Sequence, residues 1–188
     1  MLQWFRRRSE AGRRAEELYG SVVAAARHPA FYSDMGAPDT PEGRFELVAL
    51  HLFLLLEGMN VQSPNETELA QRTIEAFVTD MDDCMREMGV GDMAVGKKVK
   101  RAAAAFYERA AAYRKGLAGH GTDLEDSLGT YVLAHSAMNE GAPVDSGASA
   151  LARYVRAAAV LSSEEPFGEL VARGGLSRLL NDNRAEIS

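Results

Sequence analysis

The first candidate for chemistry is a cluster of carboxylates, formed by Asp80, Asp82, Asp83 and Glu87. Paired carboxylates bind hard cations or act as general acid and base. In a helix, however, Asp82 and Asp83 point to different faces, and Arg86 lies within pairing distance of both. No Glu-x-x-His motif for a di-metal centre accompanies the cluster. A charged recognition face is the favoured interpretation, and a metal site is the alternative.

A glycine-rich stretch follows this cluster. Gly89 and Gly91 are separated by one residue, and Gly96-Lys97-Lys98 comes shortly after, a combination that hints at a phosphate-binding loop. Neither the P-loop spacing nor the dinucleotide-binding spacing is met, and no predicted strand precedes the glycines. We therefore predict a tight turn between two helices, with Gly89 at the end of the first helix.

The other reactive side chains are few and scattered. No two of the four histidines lie four residues apart, so the helical zinc motif is missing. His51 lies in an apolar segment and is best interpreted as a hydrogen-bonded core residue. Cys84 lies beside apolar positions and is expected to pack as a small, inert hydrophobic residue. No nucleophile–base pair appears, so we predict no catalytic residue, no metal ligand and no cofactor.

Three methionines, Met81, Met85 and Met88, recur at helical spacing, and Met93 follows just beyond them. Thioether side chains adapt to irregular apolar surfaces, which suits a groove that binds varied partners. The same spacing is also typical of ordinary core packing. Both interpretations stay open at this point.

Charge is distributed unevenly along the 188 residues, whose formal net charge is −6. This net charge argues against a general nucleic-acid binder, DNA included. The segment 97–115 nevertheless contains seven basic residues and one acidic residue. It is interpreted either as a face that docks on anionic lipid or RNA or as an ordinary solvated helix face. The chain shows no secretory signal and no apolar stretch long enough to span a membrane, so a soluble protein is expected.

Helical periodicity dominates the chain, and no period-two run bounded by hairpin turns occurs. Thr40-Pro41-Glu42 predicts the start of an apolar central helix that runs to about Met59. Capping boxes at 63–66 and 122–125 predict two further helix starts. The expected fold is all-α, a single-domain bundle of about seven helices with no sheet. The helix that begins at the second capping box is expected to end at about Met138. The expected parts are a basic, mobile N-terminal arm (1–14), one helical domain (15–180) and a tail (181–188).

Three segments of the chain carry a family likeness. The first contains Gly43-Arg44-Phe45-Glu46-Leu47 and Leu50-His51, the second runs from Asp80 to Asp92, and the third contains Val95-Gly96-Lys97-Lys98-Val99-Lys100, Phe106-Tyr107 and Arg109. The run Arg-Glu-Met-Gly-Val-Gly-Asp from residue 86 is the most specific part. Together these segments resemble the ubiquinol–cytochrome c chaperone family, whose mitochondrial members are Cbp3-like assembly factors of the cytochrome bc1 complex. The chain starts at a short basic stretch, without an evident import peptide, which favours a bacterial member.

The resemblance implies a non-enzymatic assembly chaperone that binds cytochrome b, or a related nascent membrane-protein client, during biogenesis of the cytochrome bc1 complex. It further implies a small helical partner protein and contact with the ribosome or an anionic membrane surface. A bacterial member would act in the cytoplasm, peripherally at the inner membrane. The alternative is a helical membrane-surface adaptor protein unrelated to respiratory complexes, anchored by Trp4 and Phe5 ahead of three arginines.

We expect three surfaces to bind the partner. The polar rim consists of Asp80, Asp82, Arg86, Glu87 and Asp92. The basic face consists of Lys97, Lys98, Lys100 and Arg101. The methionine groove consists of Met81, Met85, Met88 and Met93.

Overall fold

The computed structural model describes residues 2–59, 63–87, 92–119, 121–134 and 144–185, with side chains for 10–59, 63–84, 96, 97, 99–119, 121–134 and 146–181. No strand occurs in these ranges, and the all-α prediction is confirmed. The helices are α1 (Leu2–Ala26), α2 (Ala30–Ser33), α3 (Pro41–Gly58), α4 (Pro64–Glu87), α5 (Asp92–Ala118), α6 (Asp123–Tyr131), α7 (Val144–Glu164), α8 (Phe167–Ala172) and α9 (Gly175–Ala185).

The chain forms two compact units by its internal contacts. Unit 1 comprises Met1–Gly20 and Met59–Glu108, and unit 2 comprises Ser21–Gly58 and Arg109–Ser188. Unit 1 therefore contains the first part of α1, all of α4 and the first part of α5. Unit 2 contains the rest of these two long helices, together with α2, α3 and α6 to α9. The expected domain boundary at residues 15 and 180 stays a prediction.

The core of unit 1 is aromatic. Phe77 of α4 is buried and packs against Tyr19 of α1 and Phe106 of α5, with ring centroids 6.3 and 5.7 Å away. Leu69 and Thr73 lie earlier on the same face of α4 and are also buried. The Thr73 hydroxyl donates a hydrogen bond to the Leu69 carbonyl oxygen, so this buried polar group is satisfied within the helix. Aromatic contacts thus hold the three helices of unit 1 together.

The core of unit 2 is built around α3. Ten of its 18 residues are buried, so it is covered on most sides, as the apolar sequence of the segment predicts. It packs against α7 and α8, and α7 packs in turn against α6, α8 and α9. Among the helices in the described ranges, none combines the length and the apolar character that crossing a membrane requires.

The start of α3 follows the predicted signals. The helix begins at Pro41, and the Thr40 hydroxyl oxygen accepts a hydrogen bond of 3.1 Å from the Gly43 backbone N–H. A Cβ atom on Gly43 would lie 2.0 Å from the Pro38 carbonyl oxygen, so the first turn packs directly on the preceding loop. The cap and the glycine together set the point at which the central helix begins.

The prediction for α6 is only partly correct. The helix begins directly after Thr122, but this residue makes no capping hydrogen bond to the backbone. Its hydroxyl donates a hydrogen bond of 3.1 Å to the Asp126 carboxylate, one turn along the helix. The helix also ends at Tyr131, well before Met138, which lies outside the described residues.

Two short helices account for the difference from the expected number. α2 lies between α1 and Thr40, where Phe31 is buried, and α9 begins before the predicted tail at 181 and extends into it. Gly174 separates α8 from α9 with a φ of 69°, a left-handed conformation that glycine adopts without steric cost. α1 begins at Leu2, so its first turns lie in the segment 1–14 that is predicted to be an arm.

Gly116 is expected to be required where α5 meets α6. A Cβ atom at this position would lie 2.7 Å from Leu124 Cα and 2.9 Å from its backbone nitrogen, so Gly116→Ala would force the two helices apart. Overpacking of this kind typically costs about 1–3 kcal/mol of stability, which urea denaturation measures. Gly20→Ala is the matched control, since nothing lies within 4 Å of its Cβ position, and it should gain up to about 1 kcal/mol. Equal stability of the two variants would contradict the close approach at Gly116.

Candidate functional site

Two members of the predicted polar rim, Asp80 and Asp82, are half-buried near the end of α4. Asp80 accepts a short hydrogen bond of 2.6 Å from the Tyr19 hydroxyl of α1. Hydrogen bonds to a charged group stabilise more than neutral ones, so this contact helps to hold α1 against α4 within unit 1. Asp82 is also engaged in an interaction. Asp80 therefore has a role in the fold whether or not it contacts a partner.

Seven further members of the predicted site lie outside the described side chains. These are Arg86, Glu87 and Asp92 of the polar rim, Lys98 of the basic face, and Met85, Met88 and Met93 of the methionine groove. The predicted glycine turn at 89–91 lies outside the described residues as well. The assignment of these residues to a partner surface stays a prediction.

Burial decreases along the apolar face of α4 toward the end of the helix. Phe77 is buried, Met81 one turn later is half-buried, and Cys84 on the same face is exposed. The expectation that Cys84 packs as a core residue is wrong, because α4 extends past the aromatic core of unit 1 before it reaches this position. Met81 lies at the edge of that core, with part of its side chain in contact and part uncovered.

The described cations of α5 fall into two groups. Lys97, Lys100 and Arg101 are exposed, and in the part of the chain that the structure describes none of them makes an ion pair. The three cations after residue 108 each pair with a carboxylate of unit 2, as Arg109–Glu46, Arg114–Glu57 and Lys115–Asp123. The unpaired charge of this segment is therefore concentrated at the predicted basic face.

Sequence reasoning missed the ion pair between Arg109 and Glu46. The guanidinium donates two hydrogen bonds to the carboxylate, from Nε to Oε2 at 2.5 Å and from Nη2 to Oε1 at 2.6 Å. It also lies 4.7 Å from the ring centroid of Tyr131, within range of a cation–π interaction. Burial lowers the pKa of Arg109, but the Glu46 carboxylate outweighs this effect and holds the pKa above its ordinary value. Both residues lie in segments that carry the family likeness. At these two positions the likeness is explained by an ion pair within the fold.

His51 is a hydrogen-bonded core histidine, as predicted. Its Nδ1 lies 2.7 Å from the Leu47 carbonyl oxygen and its Nε2 lies 2.8 Å from the Tyr154 hydroxyl. Because a carbonyl only accepts, Nδ1 carries the proton, and Nε2 accepts from the tyrosine. The Phe31 ring meets His51 and Tyr154 edge-on, at centroid distances of 5.1 and 5.0 Å. Burial lowers the pKa of His51 to about 4, although the bond to Leu47 opposes this.

The described part of the chain offers no metal site, and Tyr113, another polar residue in the core of unit 2, contributes to packing. Among the side chains that the structure describes, no group of three histidine, cysteine or carboxylate residues is placed to hold a metal ion. The Tyr113 hydroxyl is buried, with no hydrogen-bond partner among these same side chains. Burial and the nearby Glu46 carboxylate raise the pKa of Tyr113, so the phenol stays neutral. Its ring packs between Phe53 and Tyr131 at centroid distances of 5.5 and 6.1 Å, which joins α3, α5 and α6.

Comparison with known proteins identifies the family. A family model described as ubiquinol–cytochrome C chaperone matches residues 33–165, more than half of the chain. The crystal structure of the Cbp3 homolog from Brucella abortus matches with a TM-score of 0.74 and 36% sequence identity, over 91% of this chain and 92% of that chain. No curated protein sequence gives a significant match. The sequence likeness, the family model and the structural match agree, and the chain belongs to the ubiquinol–cytochrome c chaperone family.

Proposed function

We propose that this protein is a non-enzymatic assembly chaperone that binds cytochrome b, or a related apolar client, during biogenesis of the cytochrome bc1 complex. The observation that carries the proposal is the family match over residues 33–165, since that family is described as a chaperone for ubiquinol–cytochrome c. The 36% identity to a Cbp3 homolog, over nearly the full length of both chains, supports the same function.

The decreasing burial along α4 supports a client surface in unit 1. A half-buried Met81 followed by an exposed Cys84 leaves the apolar face of the helix partly uncovered toward its end. An unbranched thioether adapts to apolar helices of different shape, as a client with several membrane-spanning segments requires. The methionine groove would cover apolar segments of the client, and the polar rim would orient them.

The proposed cellular location and partners follow from the nature of the client, cytochrome b. Cytochrome b is a membrane protein, so its chaperone would work in the cytoplasm and peripherally at the inner membrane, close to the ribosome that makes the client. A small helical partner protein would complete the client-binding unit. These partners are proposed from the family likeness and from the unpaired charge of the basic face.

Deletion in the source cell tests the function directly. Without the chaperone, the unassembled client is expected to be degraded, so the haem b and haem c1 signals of the bc1 complex should fall in reduced-minus-oxidised difference spectra. Haem a of the terminal oxidase is the internal control, and re-expression of the chain should restore the bc1 signals. Normal bc1 cytochrome levels in the deletion strain would overturn the proposal.

Co-purification of cytochrome b tests the proposed surface. The triple variant Arg86→Ala, Lys97→Ala, Lys98→Ala is expected to retain about tenfold less client, because interface cations often contribute strongly to binding. The control variant Arg14→Ala, Arg27→Ala, Arg178→Ala removes three cations elsewhere and should bind normally. Undiminished capture by the first variant would rule out this surface but leave the function standing.

Asp80 needs a separate control because it also supports the fold. Asp80→Asn alters both the Tyr19 contact and any contact with a client, whereas Tyr19→Phe removes only the hydrogen bond within unit 1. Loss of client capture in the first variant and normal capture in the second would assign Asp80 to the partner surface. Equal loss in both would assign it to the fold alone.

A further inference from the structure

The described part of the basic face of α5 carries an excess of positive charge. Lys97, Lys100 and Arg101 are exposed and, among the residues described, have no carboxylate partner. Later cations of the same helix, such as Arg109, are paired within unit 2. Like charges on neighbouring turns repel one another and destabilise a helix slightly. Their accumulation without internal neutralisation indicates a surface that meets an anionic partner.

The described residues of this face also have a regular geometry. At 100° per residue, Lys97, Lys100, Arg101, Ala104 and Tyr107 fall within about 120° of the helix circumference. The stretch from Lys97 to Tyr107 is about 15 Å long at 1.5 Å per residue. All five side chains are exposed, and Tyr107 presents 58% of its surface to solvent. The result is one continuous side of the helix, with cations at one end and, at the other, an aromatic ring next to the carboxylate of Glu108.

Glu108 is the acidic residue of this stretch, and at 100° per residue it falls within the same side, between Lys97 and Arg101 around the helix. It is exposed and already engaged in an interaction. The three cations lie at least seven positions earlier in the helix, and among the described side chains the structure shows no ion pair between Glu108 and any of them.

We propose that this side of α5 binds the surface of an anionic phospholipid membrane. Lysine and arginine attract anionic headgroups, and tyrosine favours the boundary between headgroups and hydrocarbon. A flat membrane surface requires no shape complementarity, so one side of a helix is sufficient to contact it.

The composition of this side of α5 does not suffice, by itself, for a specific protein interface. A specific protein interface needs a buried apolar centre of several large side chains. Among the described residues, the large hydrophobic side chains that are strongly exposed are Tyr107 and Val160, and Val160 belongs to unit 2. A single aromatic ring does not provide such a centre.

The inference rests on the proposed function, because a chaperone for a membrane-protein client must meet the membrane where the client inserts. Three cations provide only a modest attraction, roughly fivefold each in the partition coefficient. Binding of this strength is reversible, so the protein would exchange between the membrane surface and the cytoplasm. Higher ionic strength would weaken it, since the charges are exposed to solvent.

Co-sedimentation of the purified full chain with lipid vesicles tests the assignment without any client. The protein should bind vesicles of phosphatidylcholine with phosphatidylglycerol, but not vesicles of phosphatidylcholine alone. The triple variant Lys97→Gln, Lys100→Gln, Arg101→Gln is expected to lose roughly one-hundredfold in partition coefficient. The control variant Arg14→Gln, Arg27→Gln, Arg178→Gln loses the same number of charges and should bind like the wild type. Tyr107→Ala should weaken binding at low and high salt alike, because its contribution is apolar.

The outcomes separate the inference from the function on which it rests. Equal binding to both vesicle types, or equal loss in both triple variants, would overturn the membrane assignment. Binding of this face to a single-stranded RNA oligonucleotide without binding to anionic vesicles would also overturn it, in favour of RNA. Normal client capture in a variant that has lost vesicle binding would leave the chaperone function intact. Failure of the deletion test would overturn the function, while the vesicle result would still stand.

Discussion

Replacement of Arg109 by alanine is expected to lower the free energy of unfolding by about 3–5 kcal/mol, the range typical of one partner removed from a buried ion pair. The Glu46 side chain, 9% exposed, would then lose the guanidinium that donates two hydrogen bonds to it. It would have to take up a proton or move toward water, and both changes cost free energy. Chemical denaturation of the full chain measures the difference.

Arg114 provides a matched control, since it also joins α5 to α3, through an ion pair with Glu57. Its pair is far more exposed, with 59% and 29% of the two side chains in solvent, against 16% and 9% for Arg109 and Glu46. Screening by water limits such pairs to about 0–1 kcal/mol, so Arg114→Ala should be almost as stable as the wild type. Equal destabilisation by the two substitutions would show that burial is not the cause.

A double substitution separates the charge from the packing. Glu46→Leu with Arg109→Met removes both charges and keeps most of the side-chain volume. Apolar replacements of a buried ion pair are often neutral, so this variant should be more stable than either Arg109→Ala or Glu46→Ala. A double variant less stable than both would mean that the hydrogen bonds and the contact with Tyr131 contribute more than the charge balance.

Acidification is expected to destabilise the protein through His51. The pKa of this residue is about 4 in the folded protein, because burial disfavours the charged ring, and 6.5 in the unfolded chain. Between these values the unfolded state binds the proton more readily, so stability is greatest above pH 6.5 and is lost as the pH falls toward 4. The full loss corresponds to about 3 kcal/mol, of which about 2 kcal/mol is expected by pH 5.

Two measurements check this result. Urea denaturation at several pH values should show a shallower pH dependence for His51→Gln than for the wild type. NMR titration of the wild-type ring protons needs no variant and should give a pKa of about 4 for His51. A His51 ring that titrates near 6.5 in the folded protein would contradict the prediction.

Local signals in the sequence predict local structure well. Thr40 and Pro41 specify the start of α3, and the continuous apolar character of that segment predicts its central place. His51 could be assigned to the core because a polar residue inside such a helix must be hydrogen-bonded when buried. Its partner Tyr154 could not be predicted, since it is 103 residues away and no pattern in the sequence links the two positions.

Long-range pairing and helix ends are the features that sequence reasoning missed. Several carboxylates could neutralise Arg109, and only the packing of α3 against α5 selects Glu46, 63 residues away. The Thr122 hydroxyl donates to the Asp126 side chain and accepts no capping hydrogen bond from the backbone, although the capping-box pattern predicts one. Cys84 lies on an apolar helical face, but periodicity does not report how far the core extends along that face.

The exposed Cys84 offers a built-in reporter for the proposed client capture. Cys84 is the sole cysteine of the sequence, and its side chain is exposed on the apolar face beyond Met81. A thiol-reactive fluorophore therefore labels the natural chain at one site, without any engineered substitution. When an apolar client covers this face, the dye leaves water, and its emission shifts to the blue. The rate of capture could then be followed by stopped-flow fluorescence as the client is presented.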